Sequence, residues 1–190
     1  LYEYSEDYFE ESPLFKPKGG WDRIKTILQS LLEAIQASRM SNTLVDFFLA
    51  YAHALEQSNL EMTFLMLWSL LERITNTSAM GGYEETIDRA CWLSLDIPYE
   101  RSVLNAMRIR RNRLVHASEA AEKKDEYCHI LKDFIDRHLQ FLLWNPEHFG
   151  SIQEYGDFLR LPTNVTTLQS RIAKMKWAIE LRCPPDDYSV

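Results

Sequence analysis

Apolar residues recur at three- and four-residue spacing along nearly the whole chain from Trp21 onward. That period belongs to helices, not to the two-residue alternation of strands, and it sets what the chain can fold into. Ile24, Ile27, Leu28, Leu31, Leu32 and Ile35 line one face of a first helix. A second starts near Ser41, with Leu44, Phe47, Phe48, Tyr51 and Leu55 inward. Ser58 and Glu61 have capping-box spacing ahead of Leu60, Phe64, Leu67, Trp68, Leu71 and Ile74. Gly81-Gly82 marks a turn before a short helix over 84–94, and Asp96 and Pro98 open a helix that runs toward His116. A long helix carrying Ile130, Leu131, Phe134, Ile135, Leu139 and Leu142 extends to Trp144, where Asn145-Pro146 stops it. Ser151 and Glu154 form a second capping box, and a last helix covers 165–182. With no strand pattern and no internal repeat, the predicted fold is an all-α helical bundle with short connections.

A length of 190 residues suffices for one domain with a real core. The domain is expected over 21–182, preceded by an acidic linker or tail over 1–20 and followed by a C-terminal tail over 183–190. Glu3, Glu6, Asp7, Glu10 and Glu11 interleave with Tyr2, Tyr4, Tyr8 and Phe9 in the first of these, before Pro13, Pro17 and Gly19-Gly20 break any helix. A net charge of −7 excludes a protein that coats nucleic acid by bulk charge, so any such contact needs a local basic cluster. Cys91, Cys128 and Cys183 form no CxxC pair and suggest a reducing compartment, hence a cytoplasmic location. No apolar run has the length of a membrane span, no secretory leader opens the chain, and no membrane partner is expected. The first residue, Leu1, suggests a piece of a longer protein.

One stretch departs from the acidic average: residues 108–116 hold Arg108, Arg110, Arg111, Arg113 and His116 and no acid. On an ideal helix with Val103 at the origin, Leu114, Met107, Leu104 and Val115 fall between about 20° and about 120°. Arg111 falls inside that apolar stripe, at about 80°. Arg108, Asn112, Asn105 and His116 make a polar face from about 140° to about 220°. A guanidinium among apolar side chains needs a carboxylate or a phosphate to offset its desolvation. Glu72, at the edge of the preceding core helix, is the best internal candidate, and the expectation is that it orients Arg111. Asn112 and His116 are i,i+4 neighbours able to act on one patch. Arg111 and His116 lie about 140° apart, so they converge only if the helix ends or bends near His116, as Ala117-Ser118-Glu119 allows, if Arg111 reaches round, or if a twofold dimer faces two polar stripes across one cleft.

Other candidates read as structural. His129 and His138 lack a tight ligand spacing, and His53 and His148 stand alone. Trp68, Trp92, Trp144 and Trp177 fit core or interface packing better than a base-stacking platform. Ser118 is too close to His116 in sequence to form a nucleophile–base pair with it.

The string Arg111-Asn112-Arg113-Leu114-Val115-His116 resembles the R-x4-6-H signature of the HEPN superfamily, in which a polar residue follows the arginine. Leu67-Trp68-Ser69-Leu70-Leu71-Glu72-Arg73 resembles that family's acidic-tipped core helix. The likeness covers 41–145 and is closest to the Apea-like HEPN group, so the bundle is expected to be of HEPN type with extra C-terminal helices. The resemblance implies a metal-independent endoribonuclease of a toxin or antiviral defence system, acting without a cofactor at a site shared by a homodimer. It implies that His116 serves as general base or acid, that Arg111 stabilises the phosphorane-like transition state, and that Asn112 positions the phosphate or the imidazole. Glu72 would support them, and Arg108 and Arg113 would hold RNA phosphates. RNA is the implied partner, with an antitoxin or a missing N-terminal region as a further one. The alternative is a non-catalytic HEPN-like module that binds a nucleotide or RNA, or mediates dimerisation, in a larger protein. A third reading is a helical scaffold whose Arg108–Arg113 stretch holds the acidic N-terminal segment.

Overall fold

The computed structural model describes residue 18 and residues 20–78, 82–117 and 124–182, with 115–117 and 124 in backbone only. Among the described residues there are eight α-helices, one short 3-10 turn and no strand. The helices are α1 (Gly20–Ala37), α2 (Ser41–Leu55), α3 (Leu60–Ile74), α4 (Tyr83–Ala90), α5 (Ile97–Ala117), α6 (Lys124–Trp144), α7 (Ile152–Phe158) and α8 (Val165–Arg182), with the 3-10 turn Cys91–Leu93 between α4 and α5. The all-α bundle expected from the apolar period is what the chain forms. Among the described residues no helix is long and apolar enough to cross a membrane.

α3 is the axis of the bundle. It packs lengthwise on α6, with α2 beside it and α4 and α5 against its other flank. Leu67, Leu71 and Ile74 of α3 are fully buried among Leu44 of α2, Ile87 of α4, Leu104 of α5, and Leu131 and Ile135 of α6. Each such side chain contributes roughly 1.5–3 kcal/mol through burial. The start of α3 differs from the capping-box expectation: Asn59, not Ser58, is the N-cap. Asn59 Oδ1 accepts from the backbone N–H of Glu61 at 2.9 Å and of Met62 at 3.3 Å. An asparagine carbonyl caps as well as a serine hydroxyl, and here it stands one residue nearer the helix. α7 follows the expectation, with Ser151 Oγ accepting from Glu154 N–H at 3.2 Å and Glu154 reaching back to the Gly150 N–H at 2.8 Å.

A polar knot ties α3, α4, α6 and α7 together. Arg89 is only 2 % exposed. Its Nη1 donates to the carbonyls of Thr75 (2.6 Å) and Asn76 (2.9 Å), the acceptors left over where α3 ends. Its Nη2 donates to Glu85 at 2.6 Å. Arg160 and Arg89 together hold the Glu85 carboxyl below its ordinary pKa. Asn76 has a positive φ of 55°. Gly156 is packed so closely here that a Cβ would sit 2.7 Å from Arg89 Nη1 and 2.8 Å from Asn76 Cβ. His138, 1 % exposed, faces Tyr155 Oη at 2.6 Å and the Ala90 carbonyl at 3.1 Å. A carbonyl only accepts, so Nε2 carries the proton and Nδ1 accepts from the tyrosine. Burial pushes the His138 pKa down to about 4. It is a satisfied core histidine, as the missing ligand spacing implied, while His53, His129 and His148 are exposed.

Two helices depart from the core pattern. α8 has no buried residue, and Val165, Ile172, Met175, Trp177, Ile179 and Leu181 are all more than half exposed. α1 buries only Ile35 and leaves Trp21, Ile27, Leu28 and Leu32 largely in water. Trp144 and Trp177, expected to pack in a core or an interface, are exposed within the chain, whereas Trp68 is fully buried and Trp92 packs tilted against Phe158, centroids 4.4 Å apart at 56°.

Candidate functional site

α5 buries Leu104 and Met107, and Val103 and Leu114 pack partly into the core, as the helical projection requires. This pins the rotation of the helix and hence the direction of each arginine. Arg111 is half-buried, in line with its place inside the apolar stripe.

Its partner is not the expected one. Arg111 Nη1 donates to the hydroxyl of Tyr83, and the guanidinium carbon lies 5.2 Å from the centre of the Tyr83 ring. The Glu72 carboxylate instead accepts from Trp68 Nε1 at 2.8 Å, one turn back on its own helix. Among the described residues no ion pair within 4.0 Å joins Arg111 to Glu72. The physical reason lies in the rings. Trp68 packs edge-on to Tyr83, centroids 6.3 Å apart at 61°, so two aromatic side chains link the acid to the base. Trp68 fixes Tyr83, and Tyr83 fixes the guanidinium. A neutral phenol and a π face orient Arg111 without neutralising it.

The neighbouring arginines are disposed differently. Arg108 donates to Glu84 at 2.8 Å, so α4 already holds this expected RNA contact. Arg101, two turns earlier on α5, pairs with Asp88 and Glu84. Arg113 is exposed and has no ion pair among the described residues. Arg110, absent from the sequence-derived set, has a side chain only 14 % exposed. Its Nη2 is buried without a hydrogen bond, 4.0 Å from Glu61 Oε1, and its guanidinium lies 5.9 Å from the Tyr127 ring centre. The helical projection carried the signal for it: Arg110 falls at about 340°, next to Val103 and Leu114. Tyr83 had no comparable signal beyond its place at the start of a helix after Gly81-Gly82.

Asn112 is half-buried one residue past Arg111. α5 stays helical through Ala117, so the backbone of His116 lies in its last turn, one turn beyond Asn112. The His116 side chain lies outside the described residues, as do Ser118 and Glu119 of the proposed bend. Within one copy, the unbroken helix keeps the Arg111 and His116 positions about 140° apart.

Among the described residues no three His, Cys, Asp or Glu side chains converge as a metal cage would require. Burial raises the thiol pKa of Cys91 to about 12 and that of Cys128 to about 11, and both are free, so neither is a ready nucleophile. A groove of about 430 Å³ lies between α4 and the α7–α8 connection, lined by Arg89, Trp92, Arg101 and Arg160. Its three arginines are each already matched by Glu84, Glu85, Asp88 or Asp157. On α5 the half-buried Arg111 is oriented by Tyr83 and, among the described residues, pairs with no carboxylate within 4.0 Å, with Asn112 next to it in sequence. Compared with known proteins, the chain matches no protein-family model, no curated protein and no solved structure.

Proposed function

We propose that the chain is a HEPN-type, Apea-like RNA endonuclease of a toxin or antiviral defence system that cleaves without a metal. The observation that carries the reading is Arg111: half-buried, held by Tyr83, and without a carboxylate partner among the described residues. A guanidinium in a partly dry setting keeps its full attraction for a phosphate when no internal acid answers it. His116 takes the proton of the ribose 2′-hydroxyl. The 2′-oxygen bonds to phosphorus, the P–O5′ bond breaks, and the departing O5′ takes a proton from water while the His116 imidazolium returns its own to solvent. The products are a 2′,3′-cyclic phosphate and a 5′-hydroxyl. Arg111 stabilises charge on the equatorial oxygens, Asn112 positions the phosphate, and Arg113 adds a backbone contact. Glu72 acts at a distance, by holding Trp68 behind Tyr83. With α5 helical through Ala117 and the Arg111 guanidinium held by Tyr83, the reading has Arg111 and His116 meet on one phosphate across two facing copies, which makes a homodimer part of the proposal.

The same unbroken helix favours a second reading, in which one α5 binds RNA or a nucleotide through Arg111 and Arg113 without cutting it. Incubating the purified chain with single-stranded RNA in EDTA separates the two. Cyclic-phosphate ends establish the nuclease; RNA that is retarded but intact establishes the binder and refutes the nuclease.

A further inference from the structure

From the exposed face of α8 we infer that this helix pairs with α8 of a second copy of the chain as a short parallel two-stranded coiled coil. The inference stands apart from the nuclease reading. It rests on an 18-residue helix none of whose residues is fully buried among the described residues. A free helix of that length is marginal in water, so it needs tertiary or quaternary packing to persist.

The pattern on α8 names the partner. Val165, Leu168, Ile172, Met175 and Ile179 follow each other at spacings of three and four, forming a heptad seam over two and a half repeats. Val165, Ile172 and Ile179 fall at a positions, and Leu168 and Met175 at d positions. β-Branched residues at a with an unbranched-Cβ apolar residue at d favour two parallel strands, because each layer then fits its own copy. Val165, Ile172, Met175 and Ile179 are 66 %, 51 %, 66 % and 63 % exposed, and Leu168 is half-buried, so four of the five seam positions are open. Covering it removes on the order of 500 Å² per copy, about 1,000 Å² in all, the lower bound of a specific interface.

The flanking charges add a signature. In a parallel pair, Arg171 at g faces Lys176 at e of the other helix, and both are positive. The apolar seam therefore associates against a like-charge penalty. Salt screens that penalty, so this dimer tightens as salt is added, opposite to one held by ion pairs.

Sedimentation of the full chain at concentrations up to about 100 µM provides the test. The expected result is a monomer–dimer equilibrium in the micromolar range that strengthens with added sodium chloride. Lys176→Glu should tighten it about tenfold by turning the two repulsive contacts into attractive ones. Ile172→Asp with Ile179→Asp should weaken it at least ~100-fold. Because α8 contributes nothing to the core, the double variant should melt like the wild-type monomer, which separates loss of pairing from loss of fold. A wild-type chain that stays monomeric overturns the inference, as does a dimer that survives the double variant. A monomer that associates only after deletion of residues 1–17 also overturns it, by placing the acidic N-terminal segment on the seam. RNA cleavage is read independently: a dimer that survives the double variant fails the α8 pairing alone, whereas a wild-type chain that stays monomeric also counts against the homodimer of the nuclease proposal.

Discussion

Arg89 and Arg111 are both withdrawn from water, yet the fold deals with the two charges in opposite ways. Arg89 spends both Nη groups on the chain itself, on two carbonyls at the end of α3 and on Glu85, under a glycine that leaves no spare room. Arg111, among the described residues, donates to a phenol hydroxyl and lies over an aromatic face, with no ion pair. A buried arginine is therefore not in itself a sign of function. One that is answered from within the chain builds the fold, and one that is oriented but unanswered is kept for something outside. The His138–Tyr155 pair belongs with Arg89, since each ring nitrogen has a partner.

Substitutions should divide along that line. Arg89→Met leaves two carbonyls and a carboxylate without their donor, and should cost about 3–5 kcal/mol in urea unfolding. Equal stability in the variant would erase the contrast with Arg111. The knot should also be acid-sensitive. His138 is neutral in the native state, with its pKa pushed down to about 4, whereas an unfolded histidine titrates near 6.5. The unfolded chain then binds the extra proton first, so stability is complete above pH 6.5 and falls as the pH drops toward 4. The expected loss is about 3 kcal/mol, with about 2 kcal/mol of it already gone by pH 5, before most carboxylates titrate. Chemical unfolding measured from pH 7.5 to pH 5 checks this, and a flat profile would mean the ring is not held neutral. Gly156→Ala drives a Cβ into Arg89 and Asn76, and should cost about 1–3 kcal/mol. Gly150→Ala, whose nearest contact would be a flexible Glu154 carboxylate at 3.4 Å, should change stability little and serves as its control. The smallest effect belongs to the open region. Tyr83→Phe keeps the ring and removes one hydrogen bond, so RNA cleavage should fall by a factor of about 5, near 1 kcal/mol, with thermal stability unchanged.

Much of the bundle was legible because amphipathic period and breaker residues are local properties: Pro98, Asn145-Pro146 and Ser151 stand where the helical projection needs them. Arg111 inside the α5 stripe was legible for the same reason, and Arg110 was available from that projection. Its partner was not. Tyr83 lies 28 residues away, and its position depends on how α4 packs beside Trp68. The preference for Glu72 overlooked a local rival, since Trp68 stands four residues before it on one helix face and its indole N–H needs an acceptor. An apolar stripe also says that a helix has a face to bury, not that its own chain buries it. α8 shows the difference: a regular seam is left open.

In the proposed nuclease, Arg111 acts on phosphate and not on the fold. The most direct measurement compares wild type, Arg111→Ala and His116→Ala for cleavage of single-stranded RNA in EDTA, each with a melting curve. The expected result is a loss of cleavage of at least ~100-fold in each variant, with melting temperatures unchanged. Cleavage that persists in Arg111→Ala, or that fails only in step with a collapsed melting temperature, would contradict it.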